Sequence, residues 1–179
     1  GGGRFRLETF QEKVYRINDF WDAPGKQTDA YDPDKQPLMC PSASDQLRRI
    51  ADRPCRDYAV APPENVSVAF NARLDRISMK IQDRWVLMEV PLGARILEHP
   101  SVPLAFDADG ADDVRKLVVP YYSTPPSGDE GRYGTGQFWF PSMRHEGKLT
   151  AAFVGGYVLS TREPTRESGW DWSYQPPVE

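Results

Sequence analysis

The stretch Asn65-Val66-Ser67-Val68-Ala69-Phe70-Asn71-Ala72-Arg73-Leu74-Asp75-Arg76-Ile77-Ser78-Met79-Lys80-Ile81 decides how this chain folds. Val66, Val68, Phe70, Ala72 and Leu74 take every second position, with polar or small residues between them. A repeat of two is the period of a β-strand that turns one face to the core. The apolar phase then moves to Ile77, Met79 and Ile81. A strand cannot change its buried face without an inserted residue or a break, so a β-bulge or tight turn is predicted near Asp75-Arg76. Gln82-Asp83-Arg84 reads as a turn into Trp85-Val86-Leu87-Met88-Glu89-Val90. That run is apolar on both faces, as in a central strand, and Pro91 ends it.

Working outward, residues 93–99 predict a short helical turn closed by Pro100. Residues 102–106 read as a strand, placed at a sheet edge because it contains Pro103. Residues 114–122 are a further strand candidate, stopped or bent at Pro120. A long loop rich in Gly and Pro follows over 121–136, then a short strand over 137–140. A longer strand is read over 149–162, in which Gly155-Gly156 marks a bulge or a close backbone contact. Upstream, residues 4–16 fit either an alternating strand or the start of a helical stripe, and 22–41 read as loop. Ser42 suits the N-cap of a short helix reaching toward Arg53, with Leu47, Ile50 and Ala51 on one face.

The expected fold is mainly β (α+β), an antiparallel sheet or sandwich-like single domain with one or two short helices. Seventeen prolines and fourteen glycines in 179 residues are more than a helical bundle tolerates. The length fits one domain over 1–179, with Gly1-Gly2-Gly3 resembling a linker remnant and residues 169–179 forming an extended tail. The 22 basic and 26 acidic residues are interspersed, for a net charge of -4. Without a basic cluster the composition argues against a nucleic-acid partner. No apolar run approaches the ~20 residues of a membrane-spanning helix. A lipid anchor through a removed N-terminal segment stays open.

Cys40 and Cys55 are the only cysteines, each beside a proline. A disulfide across this short excursion is the preferred reading, and it places the chain in an oxidising compartment: periplasmic or secreted. A helix over the whole span would hold its ends ~15 Å apart, so the chain must fold back for the bridge to close. Two free buried thiols are the alternative. His99 and His145 are the only histidines, lying beside Glu98 and Glu146. No G-x-S-x-G elbow accompanies them, a Cys–His dyad needs an unpaired cysteine, and zinc-finger spacings are absent. Both imidazoles are therefore read as surface groups, and neither metal nor cofactor is expected.

Asp107, Asp109, Asp112 and Asp113 crowd seven residues without the glycine position of an EF-hand loop, and read as an acidic turn. Gly131-Arg132-Tyr133-Gly134-Thr135-Gly136 lacks the Gly-Lys-Ser/Thr ending of a phosphate loop. Tyr121, Tyr122, Asp129, Glu130, Arg132 and Tyr133 instead offer the residue types of a protein-binding loop, or line an ordinary hairpin loop. Trp170, Trp172 and Tyr174 share a face if the tail is extended, and either contact a partner or dock on their own domain. The expected function is an extracytoplasmic protein-binding protein, periplasmic or lipid-anchored, of the kind that inhibits a toxin or envelope hydrolase. The alternatives are a glycan- or cell-wall-binding module built on the tail aromatics, and a small hydrolase using a histidine–glutamate pair.

Overall fold

The computed structural model describes residues 40, 42, 67–116, 122–128 and 131–177. The expectations for residues 4–16, 22–39 and 43–53 lie outside the described residues, as do Cys55, Tyr121, Asp129 and Glu130. The described elements are β1 (Val68–Asn71), a 3₁₀ turn (Ala72–Leu74), β2 (Arg76–Ile81), β3 (Arg84–Glu89), a second 3₁₀ turn (Ala94–Glu98), β4 (Pro103–Asp107), α1 (Gly110–Lys116), β5 (Tyr122–Ser123), β6 (Leu149–Phe153) and β7 (Val158–Thr161). Five strands form a mixed sheet in the order β5-β1-β4-β6-β7, and β2-β3 is a separate antiparallel ribbon. Within the sheet β1 pairs parallel with β5, while the other pairs are antiparallel. The fold is thus mainly β with short helices.

The phase change read from the sequence is a real break, and it comes as a 3₁₀ turn starting at Ala72. Asn71 ends β1 and caps that turn: its carboxamide oxygen accepts from the Arg73 amide at 3.1 Å, and its Nδ2 donates to the Pro103 carbonyl at 2.9 Å. The alternation continues through Ala72 and Leu74 because the turn itself is buried. The ribbon closes on Gln82 and Asp83, both at positive φ (49° and 62°), as a two-residue primed turn requires.

Several local expectations are corrected. Trp85 to Val90 do not form a central strand: β3 belongs to the ribbon, where Trp85 and Val86 are exposed. Residues 102–106 are not at an edge, because β4 lies between β1 and β6. Pro103 is tolerated there as the first residue of its strand, beside a register shift between Pro103 and Ala105. Val114 falls in α1, not in a strand. The acidic run supplies the start of that helix, since the Asp109 carboxylate accepts from the Asp112 amide at 3.3 Å. Residues 137–140 are turn and irregular chain. Residues 149–162 form two strands, with the hairpin turn at the glycines. A Cβ on Gly155 would stand 2.9 Å from Pro100 Cβ and 3.0 Å from the Pro100 carbonyl oxygen, so the close backbone contact is present.

The sheet carries a core on each face. Ala69, Phe106 and Ala151 sit in register across β1, β4 and β6 and belong to one cluster, with Phe138, Phe140, Phe153, Trp170 and Trp172. Phe70, Leu74, Ile77, Val90, Leu92, Ile96 and Val102 form the other. Two-sided burial explains why Ala69, Phe70 and Asn71 are all buried, where alternation alone predicts one wet face. The tail is not an extended aromatic row. It turns at Trp172-Ser173 and packs on its own domain. Trp170 meets Phe153 edge-on at 4.9 Å, Trp172 meets Phe106 at 5.1 Å, and Trp172 Nε1 donates to the Pro164 carbonyl at 2.7 Å. The buried Arg73 guanidinium donates to the Trp172 carbonyl and, at 3.5 Å, to that of Pro125, tying tail and loop to the 3₁₀ turn.

Candidate functional site

Among the described residues, the aromatic and acidic side chains singled out in the sequence do not gather in one surface patch. Tyr133 is buried and donates its hydroxyl to the Arg76 carbonyl at 3.1 Å. Burial, aided by Asp75 and opposed by Arg132, Arg76 and Arg73, pushes its phenol up to about 12. The half-buried Arg132 stacks its guanidinium over Phe138, 4.4 Å from the ring centroid. Tyr122 is half-buried and packs against both core clusters. Trp170 and Trp172 are each 8% exposed, so their rings complete the domain's own core. The half-buried Tyr174 packs against His99 at 4.2 Å between centroids. Its hydroxyl is pushed up by burial and by Glu98 and Asp171.

The acidic run is divided too. Asp112 pairs with Lys116 at 2.9 Å and Arg115 at 3.2 Å. Partial burial raises its carboxyl pKa, but hydrogen bonds and charge from Lys116 and Arg115 outweigh that and leave it below the usual value. Asp113 lies within α1. Asp107, at the end of β4, faces elsewhere.

Around Asp107 the structure brings together residues that the sequence keeps far apart. His145 opens a tight turn whose bridge to Lys148 leads into β6. Glu146 and Gly147 take positive φ (54° and 74°), the two-residue geometry that projects a residue from the mouth of a hairpin. His145 Nε2 lies 3.5 Å from Asp107 Oδ2 and 3.5 Å from Cys40 Sγ, a residue 105 positions away. All three donor atoms fall within 4.8 Å of one another.

The carboxylate is held from behind. The Thr150 amide donates to Asp107 Oδ2 at 3.0 Å, and Arg144 Nη1 approaches Oδ1 at 3.4 Å. Arg144 is itself fixed by the Ser67 carbonyl at 2.8 Å and by the Ala108 carbonyl. Ser67 Oγ accepts from the Cys40 amide, so one residue steadies both the thiol's backbone and the arginine. Asp107 and Arg144 side chains are 8% and 10% exposed, whereas His145 is 39% exposed. The cluster therefore has a rigid inner wall and an outer side open to solvent.

This geometry separates two chemistries. In a Cys–His–Asp catalytic triad the thiol and the carboxylate use opposite ring nitrogens, so the acid orients the base. Here both face Nε2, and a single N–H cannot serve both. Convergence on one point suits a metal ion. Two ligands about 2.0–2.3 Å from a tetrahedral Zn²⁺ lie about 3.4–3.6 Å apart. The Nε2–Sγ and Nε2–Oδ2 separations match that edge, and the third edge, between Sγ and the carboxylate, is within 4.8 Å. Hydrogen bonds from behind, like those Arg144 and Thr150 give Asp107, are what ligating carboxylates receive in metal sites. No spacing motif announces three ligands drawn from positions 40, 107 and 145. The only signal in the sequence is the scarcity of Cys and His, and the disulfide reading of Cys40 with Cys55 competes with it. Comparison with protein-family models, curated proteins and solved structures finds no match for the chain.

Proposed function

We propose that this chain is a metal-binding domain in which Cys40, Asp107 and His145 hold one thiophilic divalent ion, Zn²⁺ first. The convergence of thiol, imidazole and carboxylate on a single point carries the reading. A mixed S/N/O set suits zinc, whereas Ca²⁺ and Mg²⁺ demand oxygen ligands. The test is titration of the reduced, metal-free protein with Co²⁺, followed by displacement with Zn²⁺. One equivalent is expected, with a thiolate-to-cobalt charge-transfer band. Cys40→Ser should abolish that band, and His145→Gln should weaken binding by more than the about 10–100-fold cost of losing an outer-shell partner. A full-length folded protein that takes up no cobalt sinks the proposal.

A second reading, an extracytoplasmic binding protein that engages another protein, is supported by the β2-β3 ribbon. Met79 and Val86 are paired across it, and both are exposed, as are Ile81 and Trp85. Met79, Ile81 and Val86 share one face of the ribbon, Trp85 lies on the other beside Lys80, and an exposed apolar face edged by Asp83 and Arg84 is a composition common at protein interfaces. A photo-crosslinking residue at position 86, used in the source cells, should yield one discrete protein adduct. A ladder of unrelated adducts, or none, removes this reading. Among the described residues no helix is long and apolar enough to cross a membrane.

A further inference from the structure

Resting on the metal-site reading, we infer that the site is gated by redox state: a disulfide between Cys40 and Cys55 forms at the expense of the ion, and reduction restores binding. Of the three donors only the sulfur is open to mild oxidation, while the imidazole and the carboxylate keep their chemistry. Cys40 is half-buried and its neighbour His145 is 39% exposed, so the sulfur stands within reach of a small oxidant. The rest of the site is built to survive the loss of that sulfur. Asp107 is held by the Thr150 amide at 3.0 Å and by Arg144 at 3.4 Å, and the His145 turn is closed by its bridge to Lys148. None of these contacts passes through Cys40. The Cys40 amide is fixed separately, on the Ser67 hydroxyl. A change of side-chain rotamer therefore takes the sulfur off the ion while its backbone stays at the site, and the same change returns it after reduction.

Cys55 is the partner that the sequence supplies, since these two are the chain's only cysteines. Fourteen residues, 41–54, separate them, and so short a tether keeps each thiol at a high effective concentration near the other. The chain turns at the exposed Ser42, directly after Cys40-Pro41, a reversal of the kind that bridging needs. The co-reactant is a low-molecular-weight disulfide of the glutathione disulfide class. The Cys55 thiolate attacks one of its sulfurs, the small S–S bond breaks, and one small thiolate leaves with the proton that Cys55 gave up. Cys40 then releases the ion and attacks the Cys55 sulfur of the mixed disulfide. The protein bridge forms, and the second small thiolate leaves and takes a proton from solvent. Two protein thiolates are oxidised, one small disulfide is reduced to two thiols, and the ion departs with its charge unchanged. His145 and Asp107 remain, without the soft donor that favours zinc over oxygen-seeking cations.

The experiment uses the full chain, reduced and loaded with Co²⁺, then exposed to glutathione disulfide. The thiolate-to-cobalt band is expected to vanish as the Cys40–Cys55 bridge appears in peptide mass maps, and a phosphine reductant with fresh Co²⁺ should restore it. Linkage runs both ways, so zinc-loaded protein should form the bridge at least about tenfold more slowly than metal-free protein. Cys55→Ser and Cys55→Ala should still bind cobalt, and should lose the band at least about tenfold more slowly than the wild type, because the tethered partner is gone. A band that outlasts formation of the bridge, or a bridge that forms equally fast with and without zinc, overturns the gate and leaves the metal site standing. So does release from both Cys55 variants at the wild-type rate. Failure of the reduced wild type to bind cobalt overturns both.

Discussion

At the residue scale, two claims compete for Cys40. The sequence proposes a bridge to Cys55, and the structure places the Cys40 sulfur 3.5 Å from His145 Nε2. One sulfur cannot serve a disulfide and a metal together. In reduced protein, Zn²⁺ should slow alkylation of Cys40 by iodoacetamide at least about tenfold relative to Cys55, read by peptide mass spectrometry; equal slowing of both would argue against Cys40 as a ligand. Tyr133 offers a pH prediction. Its phenol titrates at about 12 in the folded state because of burial, against about 10 unfolded. The folded state therefore holds its proton longer. The associated stability, on the order of 2–3 kcal/mol, is whole below pH ~10 and is lost as pH rises toward ~12. Melting curves from pH 9 to 12 should fall more steeply for the wild type than for Tyr133→Phe, and parallel curves would refute the assignment. Individual residues were the least legible level of the sequence. Tyr133 and Trp172 stay open between partner contact and self-packing, because composition does not distinguish a ring that binds a partner from one that fills its own core. Asp107 read as one of four acids, since only the fold puts Arg144, His145 and Cys40 beside it.

At the scale of elements the sequence was more informative, because period and turn chemistry are local. The phase change after Leu74, the Gln82-Asp83 turn and the glycine pair at 155–156 each marked a real boundary. The errors arose where a long-range partner decided the outcome. β4 is central because β6 arrives from more than forty residues away to cover its second side, and nothing in Val102-Pro103-Leu104-Ala105-Phe106 encodes that arrival. β3 is apolar yet belongs to a ribbon, because among the described residues it pairs only with β2. Two changes test these turns. Gly155→Ala places a methyl against the Pro100 backbone and the Tyr157 ring, and should cost about 1–3 kcal/mol in urea unfolding. Replacing Gln82-Asp83 by Asn-Gly relieves two non-glycine residues at positive φ and should raise stability by up to about 1 kcal/mol; a loss would mean the Lys80–Asp83 ion pair at 3.3 Å matters more than the backbone.

At the scale of the molecule, fold class was legible and strand order was not. Frequent prolines and glycines with period-two runs imply short strands, but the parallel β1–β5 pair and the two-faced core depend on how distant segments meet. The tail shows the energetic weight of such meetings. Trp172→Ala removes a ring packed against Phe106, Trp139 and Trp170 and should cost about 3–5 kcal/mol, with loss of near-ultraviolet dichroism. A variant that unfolds at the wild-type urea midpoint would show that the tail is not part of the core. The same packing governs how the chain is made. A ribosome releases β1, β4 and β6 first, and the greasy side they share, met by Tyr133, Phe138 and Phe140, is only completed when Trp170 and Trp172 emerge behind them. During that interval the nascent chain is a natural client for holdase chaperones. A premature stop codon before Gly169 should accordingly yield inclusion bodies rather than a smaller working product.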